Sequence, residues 1–372
     1  MTDARAESDT GRALASIAGF GCIGSREFPD SPLDDAAWNT LRARLGGERL
    51  IGLAQSAIEA GFPVTAAQRG DVQTAAEAQA IDCFRLEALL VGLAHQFADR
   101  AIDWRLVKGP SVARRFYPRV EWRPFGDIDV VVRAEHWDTA ARLLTEIGCA
   151  RRFDEPRPGF TSRFGKGACF VTPDNYEIDL HRTFVAGPHG LSFDPGLLFD
   201  GPDFIELFGV PIATLSPALT AIHVAMHAML GSPEPRLLPL RDLVQVVSHG
   251  LSVDELHSTA TRLGARLPFA RAVVVAQSTL QVDVDSELAQ WASSYRPTQA
   301  EQRALDVYGA RERRYSRQAL AGLRALPDWK SRAAYASALA LPQRSYLARR
   351  EQSIARRAMA SARLLRGRRA GR

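Results

Sequence analysis

Lysine is nearly absent from this 372-residue chain, which has three lysines, Lys108, Lys166 and Lys330, among 47 basic residues. Its four cysteines are widely spaced and form no Cys-x-x-Cys pattern, which argues against a zinc site or a disulfide framework. No run of about eighteen apolar residues occurs, so no membrane span is predicted. Residues 1–10 are polar and acidic rather than basic and then apolar, so we expect no secretory leader and a cytoplasmic location.

A net positive charge is also missing from most of the chain, although the whole chain carries +5. Residues 341–372 hold ten arginines and one glutamate, or +9, which leaves −4 for the other 340 residues. This distribution argues against a basic nucleic-acid surface over the whole protein. A helix predicted over residues 345–369 carries eight of these arginines. It could be an ordinary solvated helix, a contact for an acidic or membrane surface, or an RNA contact.

The most informative stretch runs from Arg123 to Val132 and reads RPFGDIDVVV. Proline and glycine followed by β-branched residues predict a turn that leads into a short buried strand. Alternation along that strand places Asp127 and Asp129 on one face, where two carboxylates need a cation such as Mg²⁺ or Mn²⁺. The alternative is a solvated strand end. If repulsion dominates, replacing either aspartate with asparagine should raise the stability of the metal-free protein.

Two further strands flank this stretch. One is predicted to end at Lys108, before a turn at Gly109 and a helix whose first backbone N–H groups could hold phosphate. The other, over residues 176–181, carries Asp179 and His181 on its polar face. A paired Asp-x-Asp and an aspartate from a later strand are the ligands of a two-metal nucleotidyl transfer site, with metals about 3.5–4 Å apart.

Together these motifs resemble the uncharacterised bacterial nucleotidyltransferase family of the polymerase-β-like superfamily, over about residues 85–250. The resemblance is carried by Lys108-Gly109, Tyr117-Pro118, Arg123-Pro124-x-Gly126-Asp127-Ile128-Asp129 and Ile178-Asp179-Leu180-His181. The chain departs from the superfamily pattern in having Gly109-Pro110-Ser111 and a long gap before Asp127, where that pattern has Gly-Ser or Gly-Gly close to the carboxylates.

The resemblance implies a set of functional residues. The metal ligands and catalytic residues would be Asp127, Asp129 and Asp179, binding Mg²⁺ or Mn²⁺. The nucleoside triphosphate, with ATP the expected one, would contact Lys108, Gly109, Ser111, Arg123 and Gly126. Candidates for supporting or substrate-contacting roles are His181, His223, His227, Arg241, Asp242 and Lys166.

Several of these candidates have structural alternatives. His223 and His227 lie four residues apart on one helix face, as a structural pair or as nucleotide contacts. Arg241 and Asp242 begin the next helix, which the resemblance places against the active cleft. Lys166, in a predicted hairpin turn, is either an exposed lysine or a phosphate contact.

The fold class predicted is α+β, a small mixed-sheet core between helical segments. We predict an N-terminal helical region over 1–100, with about the first 30 residues loosely ordered. A catalytic core over 101–215 and a helical C-terminal domain with a basic tail over 216–372 follow. Within the core, a hairpin is expected over 151–172, with 160–164 and 168–171 as its strands.

The expected activity is metal-dependent transfer of a nucleoside monophosphate from a triphosphate to a hydroxyl of a small molecule, peptide or protein, with pyrophosphate release. Two alternatives stay open. One is a non-catalytic nucleotide-binding module of the same fold, and the other is an enzyme that modifies RNA ends with its basic tail. The absence of a nucleic-acid-reading motif disfavours the RNA alternative.

Overall fold

The structure is a computed structural model, and it describes residues 2–309 and 315–348. The helices are α1 (Thr2–Gly19), α2 (Asp35–Gly47), α3 (Ile51–Glu59), α4 (Ala66–Asp99), α5 (Pro110–Phe116), α6 (Trp137–Glu146), α7 (Phe160–Phe164), α8 (Pro188–Leu191), α9 (Pro217–Leu230), α10 (Leu237–Val247), α11 (Val253–Arg262), α12 (Arg266–Leu280), α13 (Ser286–Ser294), α14 (Gln299–Gly309), α15 (Tyr315–Ala325), α16 (Trp329–Ala340) and α17 (Arg344–Ala348). The strands are β1 (Trp104–Leu106), β2 (Asp127–Val132), β3 (Ala150–Arg151), β4 (Gly167–Val171), β5 (Glu177–His181), β6 (Asp203–Leu207) and β7 (Val210–Thr214).

One mixed sheet organises the described residues, in the strand order β3-β4-β5-β2-β1-β7-β6. The central strand β2 pairs with β5 in parallel and with β1 in the antiparallel sense. Of the predicted strands, those at 104–108, 127–133 and 176–181 correspond to β1, β2 and β5. The α+β class with a mixed sheet and flanking helices is confirmed.

The pleat of β2 separates two cores. Ile128, Val130 and Val132 pack into a core with α4 and α6, while Val131 belongs to a larger core on the opposite face. Because side chains alternate along a strand, Asp127 and Asp129 lie on the Val131 face. That face is covered by the helical segments from both ends of the chain, including α3, α9, α10 and α12. The carboxylates are therefore directed toward the helices and away from the apolar α4–α6 layer.

The N-terminal region differs from its predicted loose order. The segment Thr2–Gly19 is a helix, and Ala13, Leu14, Ile17 and Ala18 are buried on one of its faces. This helix packs against α2, α10 and α12. The spacing of those apolar residues is helical, and tertiary packing outweighs the glycine and serine residues that interrupt the pattern.

The predicted hairpin over 151–172 is half correct. Gly167–Val171 is strand β4, but Phe160–Phe164 is helix α7 rather than a strand. Phe160 and Phe164 lie four residues apart, so a helical turn brings both rings onto Tyr335 of α16. This long-range contact stabilises the helix and is invisible in the local pattern.

Other boundaries follow from capping. Asp34 accepts a hydrogen bond from Ala37 N and caps the start of α2. Thr65 and Gln68 form a capping box that begins α4 at Ala66. None of the helices in the described residues is long and apolar enough to cross a membrane. Most of the predicted arginine-rich helix over 345–369 lies outside the described residues.

Candidate active site

The parallel pairing of β2 with β5 builds the acidic centre. Asp129 lies beside Asp179 in the register, and His181 follows on the same face of β5. Ligand atoms of these three residues lie within 4.8 Å of one another. Asp129 is 1% exposed, and its Oδ1 is 2.8 Å from His181 Nε2. Two carboxylates and an imidazole at this separation are a chemically suitable donor set for a divalent cation.

Asp127 is near this centre but is not part of the three-residue cluster. Its Oδ2 is 3.3 Å from Lys108 Nζ, and its Oδ1 is 3.3 Å from a guanidinium nitrogen of Arg49. The sequence placed Asp127 with Asp129 and Asp179 as an equal ligand. In the structure Lys108 and Arg49 contact its two oxygens, and its role as a metal ligand stays a prediction.

Lys108 lies between the two aspartates of the Asp-x-Asp motif. Its Nζ is 2.9 Å from Asp129 Oδ2, in addition to its contact with Asp127. Burial by itself would lower the pKa of the Lys108 ammonium, but Asp129 and Asp127 outweigh burial and raise the pKa. Burial would likewise raise the pKa of Asp129, yet Lys108 and His181 hold it well below its usual range. The pair is therefore ionised at neutral pH.

Lys166 approaches the same centre from the turn before β4. Its carbonyl oxygen accepts hydrogen bonds from the backbone nitrogens of Arg182 and Thr183, which fixes this turn against the end of β5. Burial, opposed in part by Asp129, lowers the pKa of the Lys166 amine. Among the described residues, no carboxylate forms an ion pair with Lys166 within 4.0 Å. Its charge is available to a ligand, as the phosphate-contact interpretation requires.

His223 and His227 lie on the buried helix α9 with ring centroids 6.2 Å apart. Burial lowers the pKa of each ring well below the ordinary value, and Lys108 and Lys166 add to this effect. The charges acting on both rings are thus those of the acidic centre. The structure places the pair beside the site, and the His223 Nδ1 is buried without a hydrogen-bond partner in the described residues.

Arg123 and Asp242 are joined to each other rather than directed to a phosphate site. Arg123 Nε and a terminal nitrogen donate to the two oxygens of Asp242 at 3.1 and 2.7 Å. Tyr117 donates its hydroxyl proton to the same carboxylate at 2.8 Å. All three side chains are buried. This arrangement ties the segment before β2 to α10.

Arg241 also has a structural position. It is fully buried, and its terminal nitrogens donate to the carbonyl oxygens of Ala18 and Phe20 at 2.5 and 2.7 Å. These bonds hold the end of α1 against α10. The structure thus places Arg241 against α1 rather than among the residues of the acidic centre.

The glycines and the serine of the motifs shape the backbone. Gly109 has a φ of +67°, which favours glycine, and it begins α5 after Lys108. Ser111 is fully buried, with its hydroxyl 3.5 Å from an Arg115 nitrogen. Gly126 lies beside the Arg49 guanidinium, where an added Cβ would be at an ordinary contact distance of 3.4 Å.

Arg49 is the site residue that sequence reasoning missed. It lies in the turn between α2 and α3 with a φ of +56°, a left-handed conformation that is costly for a residue with a side chain. It is 78 positions from Asp127 in the chain. No local signal marks it, because only the packing of α3 against the segment before β2 brings it to the carboxylates.

The comparison with protein families gives the class of protein in which this fold and acidic centre occur, the nucleotidyltransferases. The family model described as uncharacterised nucleotidyltransferase matches residues 34–281, about two thirds of the chain. The chain belongs to this family, and the resemblance noted from the motifs is confirmed. No curated protein matches the sequence.

Among solved structures, the chain is similar to an antigenic nucleotidyltransferase-like protein from Paracoccidioides brasiliensis. The two share 13% identity, and the similarity covers 54% of this chain and 94% of the other, with a TM-score of 0.33. At that score the likeness adds nothing to the interpretation of the site.

The buried histidine pair gives a testable pH dependence. Because the folded pKa of each ring is depressed, the unfolded chain binds more protons than the folded protein below about pH 6.5. Each histidine therefore makes its full contribution to the free energy of unfolding above about pH 6.5. Below that pH the free energy of unfolding falls as the pH decreases, by at most about 1.4 kcal/mol per pH unit for each histidine. Urea unfolding between about pH 7.5 and 5.5 measures this slope.

Matched variants separate these rings from the other titrating groups. We expect His223→Asn and His227→Asn each to flatten the slope, while His95→Asn, at an exposed position, leaves it unchanged. An unaltered slope in both buried-site variants would contradict the assignment.

Proposed function

We propose that this protein is a metal-dependent nucleotidyltransferase that moves a nucleoside monophosphate from a triphosphate, with ATP first among the candidates, to a hydroxyl acceptor. The observation that supports this most is the pairing of Asp129 with Asp179 on parallel strands of a chain belonging to a nucleotidyltransferase family. The acceptor hydroxyl belongs to a small molecule, a peptide or a protein.

The residues of the centre suit a bound divalent ion. Asp129 and Asp179 would supply the hard oxygen donors, and His181 would orient Asp129 through its Nε2–H. The Oδ2 of Asp129 is buried, and in the described part of the chain it faces the Lys108 ammonium at 2.9 Å, at the position where a metal ion would bind. When bound, Mg²⁺ or Mn²⁺ would lower the pKa of the acceptor hydroxyl and neutralise phosphate charge. In a two-metal arrangement, Asp127 would join Asp129 in holding the second ion.

The chain's own cations would serve the triphosphate. In the reaction, the acceptor oxygen bonds to the α-phosphorus, the α–β phosphoanhydride bond breaks, and pyrophosphate leaves while the hydroxyl proton passes to solvent. Lys166 and Lys108 would hold phosphate oxygens by charge, and Arg49 could reach them from the α2–α3 turn. His223 and His227, neutral and buried, would line the same space without adding charge.

The test is pyrophosphate release from each of the four common nucleoside triphosphates, with Mg²⁺ or Mn²⁺ and with mixtures of hydroxyl-bearing acceptors. We expect release that requires the metal, stops with EDTA and is lost in Asp179→Asn. Asp174→Asn, an exposed aspartate in the turn before β5, is the matched control and should retain activity. Metal-independent release, or full activity in Asp179→Asn, would reject the proposal.

A second candidate is a nucleotide-binding module without transfer activity. It is favoured by one observation, the neutralisation of Asp127 and Asp129 by Lys108 and Arg49, which makes the acidic pair stable without a metal. Such a module would bind a triphosphate and release no pyrophosphate under any of these conditions. Equilibrium binding measured beside the release assay separates the two functions.

A further inference from the structure

The position of Lys108 is set by the backbone and not only by its flexible side chain. Val107 N donates to Asp129 O at 2.9 Å, which clamps the chain on one side of Lys108 to β2. On the other side Gly109 lies against the same strand, where an added Cβ would be 3.7 Å from the Asp127 carbonyl oxygen. The ammonium group is therefore held where it contacts both carboxylates of the Asp-x-Asp motif.

The charges of the centre balance without any ion. Asp127, Asp129 and Asp179 carry three formal negative charges, and Lys108, Lys166 and Arg49 carry three positive ones. Burial lowers the pKa of each histidine on α9, so these two rings add no charge at neutral pH. A free divalent cation that entered this balanced centre would leave it with a net positive charge. A cation that enters together with a triphosphate is accompanied by the negative charge of the phosphates, which balances its positive charge.

We propose that Lys108 is an internal counter-cation that occupies the Asp127–Asp129 pair and excludes free divalent cations until a triphosphate is present. The polyanion then gives the ammonium group a second partner, so that the carboxylates become free for the metal. Metal and nucleotide would bind interdependently, which prevents an idle metal-loaded state. This inference rests on the proposed function, since it assigns the metal and the triphosphate to the same centre.

The experiment is a titration of the full chain with Mn²⁺ alone, in the absence of nucleotide, with free Mn²⁺ measured by electron paramagnetic resonance. We expect Lys108→Met to bind Mn²⁺ at least about tenfold more tightly than the unmodified protein. Thermal denaturation gives a second readout. Without metal the variant should melt at a lower temperature because the carboxylates lose their partner, and Mn²⁺ should raise its melting temperature more than it raises that of the unmodified protein.

The other two lysines of the chain are the controls. Lys330→Met removes an exposed lysine and should leave Mn²⁺ affinity unchanged. Lys166→Met removes a charge near the centre that forms no ion pair with a carboxylate of residues 2–309 or 315–348, and we expect a smaller effect than that of Lys108→Met. Equal gains in both variants would show a general charge effect and overturn the proposal. Unchanged or weaker Mn²⁺ binding in Lys108→Met would overturn it as well. Lys108→Gln carries the same expectations if the methionine variant does not fold.

Failure of this inference is distinguishable from failure of the proposed function, because Mn²⁺ binding needs no turnover. If the protein releases pyrophosphate but Lys108→Met shows no gain of Mn²⁺ affinity, the proposed function stands and the counter-cation role of Lys108 is rejected. A protein inactive with every triphosphate, whose Lys108→Met variant nevertheless gains affinity, supports the counter-cation and rejects the transferase.

Discussion

Asp129→Asn is expected to abolish nucleotidyl transfer and to lower the free energy of unfolding by about 3–5 kcal/mol in metal-free buffer, as removal of one partner from a buried ion pair does. Asp129 is buried and contacts Lys108 Nζ at 2.9 Å and His181 Nε2 at 2.8 Å. The variant would leave the Lys108 ammonium with only the more exposed Asp127. Urea unfolding at pH 7 with EDTA measures the stability loss, and pyrophosphate release measures the activity.

This expectation reverses the sign predicted from the sequence. Two aspartates on one strand face suggested repulsion that asparagine would relieve, and the structure instead supplies the cation that makes the pair favourable. The surface aspartate control, Asp174→Asn, should change stability by no more than about 0.5 kcal/mol. If Asp129→Asn unfolds at the same or a higher urea concentration than the unmodified protein, repulsion dominates and Lys108 is not the counter-charge.

The parts of the site that sequence could predict are those governed by local alternation. The strand at Asp127–Val132 and the strand at Glu177–His181 both show a polar and an apolar face, and both form as predicted. Their motifs also identified the family. Neither pattern predicts that the two strands are parallel neighbours. Their parallel pairing is what places Asp179 beside Asp129. That pairing depends on contacts across about 50 residues.

The parts that sequence missed are all long-range partners. Arg49 reaches Asp127 from 78 positions away, and nothing in the α2–α3 turn marks it as functional. The phosphate contact of Lys108 stays a prediction, and the fold adds two partners that the sequence did not indicate, the carboxylates of Asp127 and Asp129. Such side chains can satisfy several partners, and only the packed structure decides which of them lies within reach.

Arg123→Met is expected to destabilise the protein by about 3–5 kcal/mol, comparable with the loss at Asp129. Arg123 and Asp242 form a buried bidentate pair, and Tyr117 shares the same carboxylate. Burial by itself would lower the pKa of the Arg123 guanidinium, but Asp242 outweighs it and raises the pKa, so the pair stays ionised. Removing one member leaves a buried charge without its partner.

A double-mutant cycle tests whether this loss belongs to the pair. Arg123→Met and Asp242→Leu should each be strongly destabilising, while the double variant should lose less than the sum, because no unpaired charge remains. Arg119→Met, which breaks an exposed ion pair with Glu59, should cost no more than about 1 kcal/mol.

The same cycle decides between the structural and the nucleotide-binding assignment of Arg123. In the folded double variant, ATP affinity measured by equilibrium binding should stay within about threefold of the unmodified protein, since both side chains are turned to each other and not to the acidic centre. A much greater loss of ATP affinity, in a variant with normal secondary structure, would show that Arg123 contributes to triphosphate binding. Single variants that lose less than about 1 kcal/mol would contradict the buried-pair account itself.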